Sequence, residues 1–421
     1  MNLSDQKTSK PNTDESPRSD CQADASNGAP PYAVPGFRLS EFSFAPSRWK
    51  RATEIDQVVD DAIDNRRIVG IVIVAARDGE IVYQRAAGYA DRESRRPVQI
   101  NEIFRLASMT KAIVSAAALA LTDRGEIDLN DPVTRWLPDF RPRLADGREP
   151  LITIRHLLTH TAGLGYGFLE PPDGPYHRLG ISDGMDASGL TLAENLRRIA
   201  AAPLLFEPGT NWHYSVAVDV LGAVLERVTG ASLPKLVRTI VTGPLGMRSV
   251  EFVAPESALL ATPYGDATPE PHAMTSSFQL PFFGGAIRYA PARAFDASAF
   301  PSGGTGMVGT AKDYLRFVEA IRTDGAGVLR PATALAMTRN AIGDLSSGAG
   351  FGWGLGVQVL TDPAAAHSPL NAGAWNWGGV YGTHFWVDPK AALSVVVLTN
   401  TAVAGMIGAF PSALQQAAYG T

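Results

Sequence analysis

An α/β fold, with an antiparallel sheet flanked by helices and interrupted by a mainly helical lobe, is predicted by three features of the chain. Strand-like runs stand near both ends, helical periodicities fill the middle, and the first two strand-like runs are joined by a tight turn signal. The chain has 421 residues, enough for one large unit or two cooperating lobes.

The elements follow in order. Residues 1 to 46 are rich in Ser, Asp, Asn and Pro with little periodicity, and are expected to form a flexible tail or a strap over the surface. A catalytic unit is expected over 47–421. Its α/β lobe is assigned to about 47–105 and 300–421, and its helical lobe to about 106–299. "ATEIDQVVDDAIDNR" spaces Ile55, Val58, Val59 and Ile63 as a helix does, and "GIVIVAAR" and "IVYQRAAGYA" then read as a hairpin around "DGE". The alanine-rich stretch "AIVSAAALAL", followed by "TIRHLLTH", "LAENLRRIAAA", "AVDVLGAVLERVTG", "PKLVRTIV" and "AKDYLRFVEAIRT", gives the helical middle. Strand signals return in "GWGLGVQVL", "GTHFWVDP" and "LSVVVLTN", before a last helix near 405 to 418. Two stretches, about 163 to 189 and 252 to 300, are rich in Gly, Pro, Asp and aromatics. They read as long loops and candidate walls of a substrate pocket, with surface loops of no role as the alternative.

Composition excludes several classes. Hydrophobic residues make up 45% and charged residues 19%, ordinary for an enzyme with a sizeable core. A net charge of −5 without a dense basic cluster argues against nucleic acid as a partner. No apolar run approaches the roughly 20 residues a membrane helix needs, so no membrane partner is expected. The first 31 residues carry no apolar signal-like region, which leads to the expectation of a cytoplasmic protein. Cys21, the single cysteine, lies in the tail and leaves no intramolecular disulfide, cysteine metal site or core cysteine nucleophile. Nothing in the sequence specifies an oligomeric state.

Serine three residues before lysine occurs four times, at Ser4/Lys7, Ser47/Lys50, Ser108/Lys111 and Ser232/Lys235. The first two have no core to hold their geometry, and Ser232 reads as an N-cap with Pro234 in the first turn. Only Ser108 opens an apolar helix, where the i, i+3 spacing puts it on the face of Lys111 and burial would weaken the lysine's hold on its proton. The residues alone leave two readings of Ser108, a nucleophile or an ordinary helix-start serine. No lipase-type nucleophile elbow, G-x-S-x-G, is expected. His156 and His160 stand i, i+4, but Leu157 occupies the place of a zinc protease's glutamate, so no metal is expected and His160 reads as a structural hydrogen-bonding group at a helix end. "PSGGTGMVGT" at 301 to 310 reads as a tight turn before a helix.

"FEPGTNWHYSVAVDVLG" places Tyr214 just before a helix, and "WNWGGVYGTHFWVDP" places Gly378 and Gly379 beside a strand. With Ser-Met-Thr-Lys, in this order and at these separations, the set resembles the serine β-lactamase and penicillin-recognising fold. More narrowly it is similar to the esterase branch, the family VIII carboxylesterases and related acyltransferases. The likeness includes "LLTHTAGL", "GEIDLNDPV", "FEPG" and "TGPLGM", and spans about residue 50 to the C-terminus.

The resemblance implies Ser108 as the acyl-accepting nucleophile with Lys111 and Tyr214 as its basic partners. Where the family has Tyr-x-Asn this chain reads Tyr214-Ser215-Val216, and where lactamases have Lys-Thr-Gly it has Trp377-Gly378-Gly379. The amide that steadies a lactam side chain and the cation that receives a lactam carboxylate are both replaced. Backbone N–H groups of Ser108 and Val380 are expected to form an oxyanion hole, with Gly378 and Gly379 letting the strand approach closely and Trp377 facing substrate. The expected activity is hydrolysis of short-chain, small-molecule esters through an acyl-enzyme, without a cofactor. Acyl transfer or weak β-lactamase activity on the same site, or a non-catalytic ligand sensor, are the alternatives. Tyr166, Phe168, Tyr176, Phe282, Phe283 and Trp377 are expected near an apolar substrate group.

Overall fold

The computed structural model describes residues 49–255 and 259–421, all within one compact unit. The tail, with Cys21 and Ser4, and Ser47 just after it lie outside the described residues.

The first helix, α1 (Ala52–Asp64), turns Ile55, Val59 and Ala62 inward, as the 3.6-residue spacing dictates. β1 (Gly70–Arg77) and β2 (Glu80–Asp91) pair antiparallel with Arg77 opposite Glu80. Between them Asp78 and Gly79 have φ of 53° and 83°, the left-handed pair that a two-residue hairpin turn requires. β3 (Arg96–Pro97) lies beyond β2.

α2 (Thr110–Asp123) follows a 3-10 turn at Ala107–Met109, and every residue from Thr110 to Leu121 is buried. Its many alanines let neighbouring elements close on all sides at little side-chain entropy cost. α3 (Ala217–Thr229) ends at Gly230 in the left-handed conformation, the usual glycine stop.

The stretch 252–300 is not irregular throughout. It contains a hairpin, β4 (Phe278–Phe282) with β5 (Gly285–Tyr289), turned by Phe283 and Gly284 at φ of 43° and 88°. Pro281 inside β4 hides the alternation from a sequence reading. α4 (Ala311–Arg322) is capped by the Thr310 side chain, which accepts from the Asp313 N–H. β6 (Phe351–Trp353), β7 (Gln358–Leu360), β8 (Trp375–Gly379), β9 (Thr383–Asp388), β10 (Leu393–Thr399) and α5 (Ala409–Tyr419) complete the chain.

Eight strands form one antiparallel sheet in the order β6-β7-β8-β9-β10-β1-β2-β3, so both chain ends build it. Alternation sorts its side chains between two cores. Ile71, Ile73 and Ala75 of β1, with Val395 and Val397 of β10, join a core with α1 and α5 residues such as Val59 and Leu414. Val72, Val74, Val396 and Leu398 point to the other face, into the larger core with α2, α3 and α4. No helix among the described residues is long and apolar enough to cross a membrane.

Candidate active site

Ser108 sits in the first turn ahead of α2, where a backbone N–H has no intrahelical acceptor. Ala107 before it has φ of 44°, a costly conformation for a residue with a Cβ. The end of β8 lies against this turn. A Cβ on Gly379 would stand 2.2 Å from the Leu106 carbonyl oxygen and 3.1 Å from the Ala107 Cβ, so only glycine allows this approach. The Thr383 hydroxyl donates to the same Leu106 carbonyl at 3.2 Å. Ser108 and Val380 both line one cavity of about 300 Å³.

Lys111 is fully buried. Its Nζ stands 3.3 Å from Ser108 Oγ, 2.9 Å from the Tyr166 hydroxyl and 2.8 Å from the Gly304 carbonyl oxygen, and 4.6 Å from the centre of the Tyr214 ring. Burial pulls its pKa down to about 7, while the Asp219 and then the Asp183 carboxylate pull it back up. The Tyr214 hydroxyl accepts from Trp377 Nε1 at 3.2 Å and lies close enough to Ser108 to interact with it. Burial raises the Tyr214 pKa and these interactions partly offset the rise. The structure thus brings Ser108, Lys111, Tyr214, Trp377, Gly378 and Val380 to one place, with Gly379 behind them.

Three participants escaped the sequence reading. Tyr166, expected to face substrate, is buried and serves Lys111. Gly304, in the turn before α4, offers its carbonyl to the same amine. Asp219, one helical turn beyond Tyr214, is buried with Oδ1 accepting from Ser302 Oγ at 2.6 Å and from the Gly304 N–H at 3.4 Å, while Oδ2 has no partner. Burial pushes its pKa up, opposed by Ser302 and Lys111. Separations of 55 and 193 residues from Lys111 leave no local spacing by which Tyr166 or Gly304 could be found.

Both loop-rich stretches contribute to the cavity: Phe168 and Leu169 from one, Phe282 and Phe283 from the other, with Trp377, Met406 and Ile407 opposite. Among the described residues no charged side chain lines it. Tyr176 is a correction, since it lies buried beneath the site with its hydroxyl accepting from the Gly165 N–H at 2.7 Å. Asp183 accepts from the Gly167 N–H at 2.9 Å and so holds the turn that carries Phe168.

The histidines read for metal have other tasks. His156 completes a capping box with Thr153. His160 Nδ1 lies 3.1 Å from Ser215 Oγ, and its ring packs 4.8 Å from that of Tyr214. Among the described residues no cluster of three His, Cys, Asp or Glu could hold a metal ion. A further correction concerns the nucleophile elbow. Gly180-Ile181-Ser182-Asp183-Gly184 does match G-x-S-x-G, but it lies in a loop after a short helix, Pro175–Arg178. Ser182 Oγ donates to Asp186 and accepts from the Gly184 N–H, so the pattern lacks the strand-turn-helix setting of that motif.

An antiparallel sheet faced by helices, with a serine and a buried lysine one turn apart at the end of a sheet strand, defines a serine hydrolase of the β-lactamase-like fold. The chain belongs to the beta-lactamase family, whose model matches residues 55–418. It is 52% identical over 386 residues to Esterase EstB of Burkholderia gladioli, covering 90% of this chain and 98% of that one. The solved structure of EstCE1, described as a hydrolase with promiscuous acyltransferase activity, superposes with a TM-score of 0.85 at 47% identity, covering 88% of this chain and 98% of the other. Monacolin J acid methylbutanoyltransferase of Aspergillus terreus is 28% identical over 376 residues, 79% of this chain and 86% of that one. The likeness to the esterase branch is therefore borne out.

Proposed function

We propose that the protein is a serine carboxylesterase acting on short-chain acyl esters through a covalent acyl-enzyme on Ser108. The observation that carries this reading is the setting of Lys111. A neutral amine has two N–H groups and one lone pair. The Gly304 carbonyl can only accept, so it takes one N–H at 2.8 Å, while the Tyr166 hydroxyl at 2.9 Å can accept the second N–H. In that arrangement the lone pair can turn to the Ser108 hydroxyl, whose oxygen lies 3.3 Å from Nζ. With its pKa drawn to about 7, Lys111 is poised as a general base near neutral pH.

In the proposed reaction Ser108 Oγ attacks the ester carbonyl carbon as its proton passes to Lys111. The carbonyl oxygen becomes an oxyanion held by the Ser108 and Val380 N–H groups. The carbon–oxygen bond to the alcohol then breaks, and the alcohol leaves with a proton from Tyr214, which burial keeps in the phenol form. Water then gives a proton to the Tyr214 phenolate and attacks the acyl carbonyl, and the bond to Ser108 Oγ breaks as Lys111 returns its proton to that oxygen, releasing the acid and restoring Ser108, Lys111 and Tyr214. The neutral, aromatic walls suit an uncharged ester, with Trp377, Gly378 and Gly379 bordering the substrate. An alcohol in place of water would give acyl transfer, and the likeness to EstCE1, a hydrolase with promiscuous acyltransferase activity, favours this as a second activity. One cysteine in 421 residues fits a reducing compartment, and we place the enzyme in the cytoplasm.

The test compares kcat/KM for p-nitrophenyl acetate or butyrate with that for nitrocefin. The ester is expected to win by at least about a hundredfold, because a lactam loses two contacts, each worth roughly ten- to a hundredfold. Comparable values would restore the lactamase reading.

A further inference from the structure

Val380 lines the cavity at Ser108, but the next residue, Tyr381, lines a different one, of about 100 Å³, and the two cavities share no lining residue. This second cavity is bounded by Arg105, Arg293, Tyr381, Ser302 and Thr305, with apolar side chains such as Phe252 and Met307 completing it.

Arg105 Nε and Nη2 donate to the Pro291 carbonyl at 3.2 and 2.8 Å, and Nη1 donates to the Ala261 carbonyl at 2.9 Å. Arg293 Nη1 donates to the Asp186 carbonyl at 3.1 Å and Nη2 to the Phe300 carbonyl at 2.8 Å. Every acceptor is a neutral backbone oxygen, and neither arginine forms an ion pair among the described residues. Asp296 also borders the cavity, but its Oδ1 is engaged by the Ser298 N–H and hydroxyl. A guanidinium carries five N–H groups, so about half of the pair's donors are not spent on these carbonyls. The Arg105 guanidinium lies 5.7 Å from the centre of the Tyr381 ring, and the Tyr381 hydroxyl makes no hydrogen bond among the described residues.

Both guanidiniums are partly withdrawn from water; the Asp186, Asp219 and Asp296 carboxylates act on Arg293 from a distance without forming an ion pair, and part of the desolvation cost remains uncompensated. An oxyanion between them would offset that cost through charge-assisted, fork-shaped hydrogen bonds. Burial lowers the pKa of both guanidiniums, opposed at Arg293 by the Asp186, Asp219 and Asp296 carboxylates. It raises that of Tyr381 to about 12, with Arg105 and Arg293 opposing the rise, so the phenol is available as a third donor.

We propose that this cavity binds a small oxyanion, a carboxylate or inorganic phosphate, held by Arg105, Arg293 and the Tyr381 hydroxyl. The site shares no lining residue with the Ser108 cavity, although its Ser302 also holds Asp219, and it does not rest on the ester-cleaving assignment. Its position has one consequence for it: the occupant bears on Tyr381, whose neighbour Val380 lines the Ser108 cavity.

The experiment titrates the full chain with sodium acetate and, separately, sodium phosphate at constant ionic strength set by chloride, following Tm and calorimetric heat. One anion or both is expected to raise Tm saturably, as a ligand of the folded state does. The anion that does so identifies the source, acetate for a carboxylate and phosphate for a phosphate. Arg293→Met and Tyr381→Phe should each weaken the apparent affinity, about tenfold or more for the arginine. Tyr381→Phe removes only a hydroxyl, so it remains informative if Arg293→Met fails to fold. Absence of a saturable effect with both anions, or an effect unchanged by Tyr381→Phe and Arg293→Met, overturns the proposal.

Discussion

Ser108-Met-Thr-Lys111 and Ser232-Leu-Pro-Lys235 share one spacing, and each lies at the start of a helix, yet of the two serines it is Ser108 that lines the aromatic cavity. Ser232 and Lys235 are both exposed. Ser232 does stand at the N-cap of the helix Leu233–Val237 with proline in its first turn, although its side chain makes no capping hydrogen bond. Lys111 is buried beneath a tyrosine, a peptide carbonyl and the candidate nucleophile. The spacing supplies proximity, while burial is what weakens the hold of Lys111 on its proton.

The sharpest way to break this comparison is to remove each serine. Ser108→Ala should abolish labelling by a fluorophosphonate probe and lower ester turnover on the order of 10⁴-fold or more, whereas Ser232→Ala should leave both unchanged. Labelling that persists in Ser108→Ala would move the nucleophile elsewhere.

The partners come next in size. Lys111→Ala and Tyr214→Phe should each cost at least about 10²-fold in kcat on an alkyl ester, and Lys235→Ala nothing measurable. If Lys111 and Tyr214 act as one proton-transfer unit, the double variant loses far less than the product of the two. A p-nitrophenolate leaving group needs no proton, so Tyr214→Phe should hurt p-nitrophenyl esters less than ethyl esters. Equal losses on both would remove Tyr214 from the role of acid.

The smallest effect sharpens why Lys111 differs from an exposed lysine. As pH falls through about 7, Lys111 gains a proton and can no longer accept one, so kcat/KM should decline on that limb. Asp219→Asn removes a negative charge that favours the ammonium, lowering the Lys111 pKa and moving the limb to lower pH by about one unit. Asp183, Tyr166, Tyr214 and Arg293 also interact electrostatically with Asp219, and all stay in place. A lower rate with an unmoved limb would mean that Asp219 only holds the Ser302–Thr305 turn.

Much of the frame was legible because local pattern decides it. The "DGE" hairpin, the amphipathic α1 and the valine-rich β1 and β10 each follow from a period of 3.6 or 2 with a turn residue at its end. The β4–β5 hairpin was not, because Pro281 and consecutive aromatics mask the alternation, although Phe283-Gly284 sits where a turn was needed. The wall formed by Phe168 and Phe282 was anticipated from loop composition, whereas the inward place of Tyr166 and Tyr176 was not.

By itself the sequence determined that a serine and a lysine share one face at the start of an apolar helix, and that Val216 and Trp377 stand where a lactam-binding site would have an amide and a cation. Only the tertiary structure decided which of the matching pairs is withdrawn from water, and which groups then meet the amine. Tyr166, Gly304 and Asp219 reach Lys111 from segments far along the chain, and such contacts depend on packing, which no local spacing encodes.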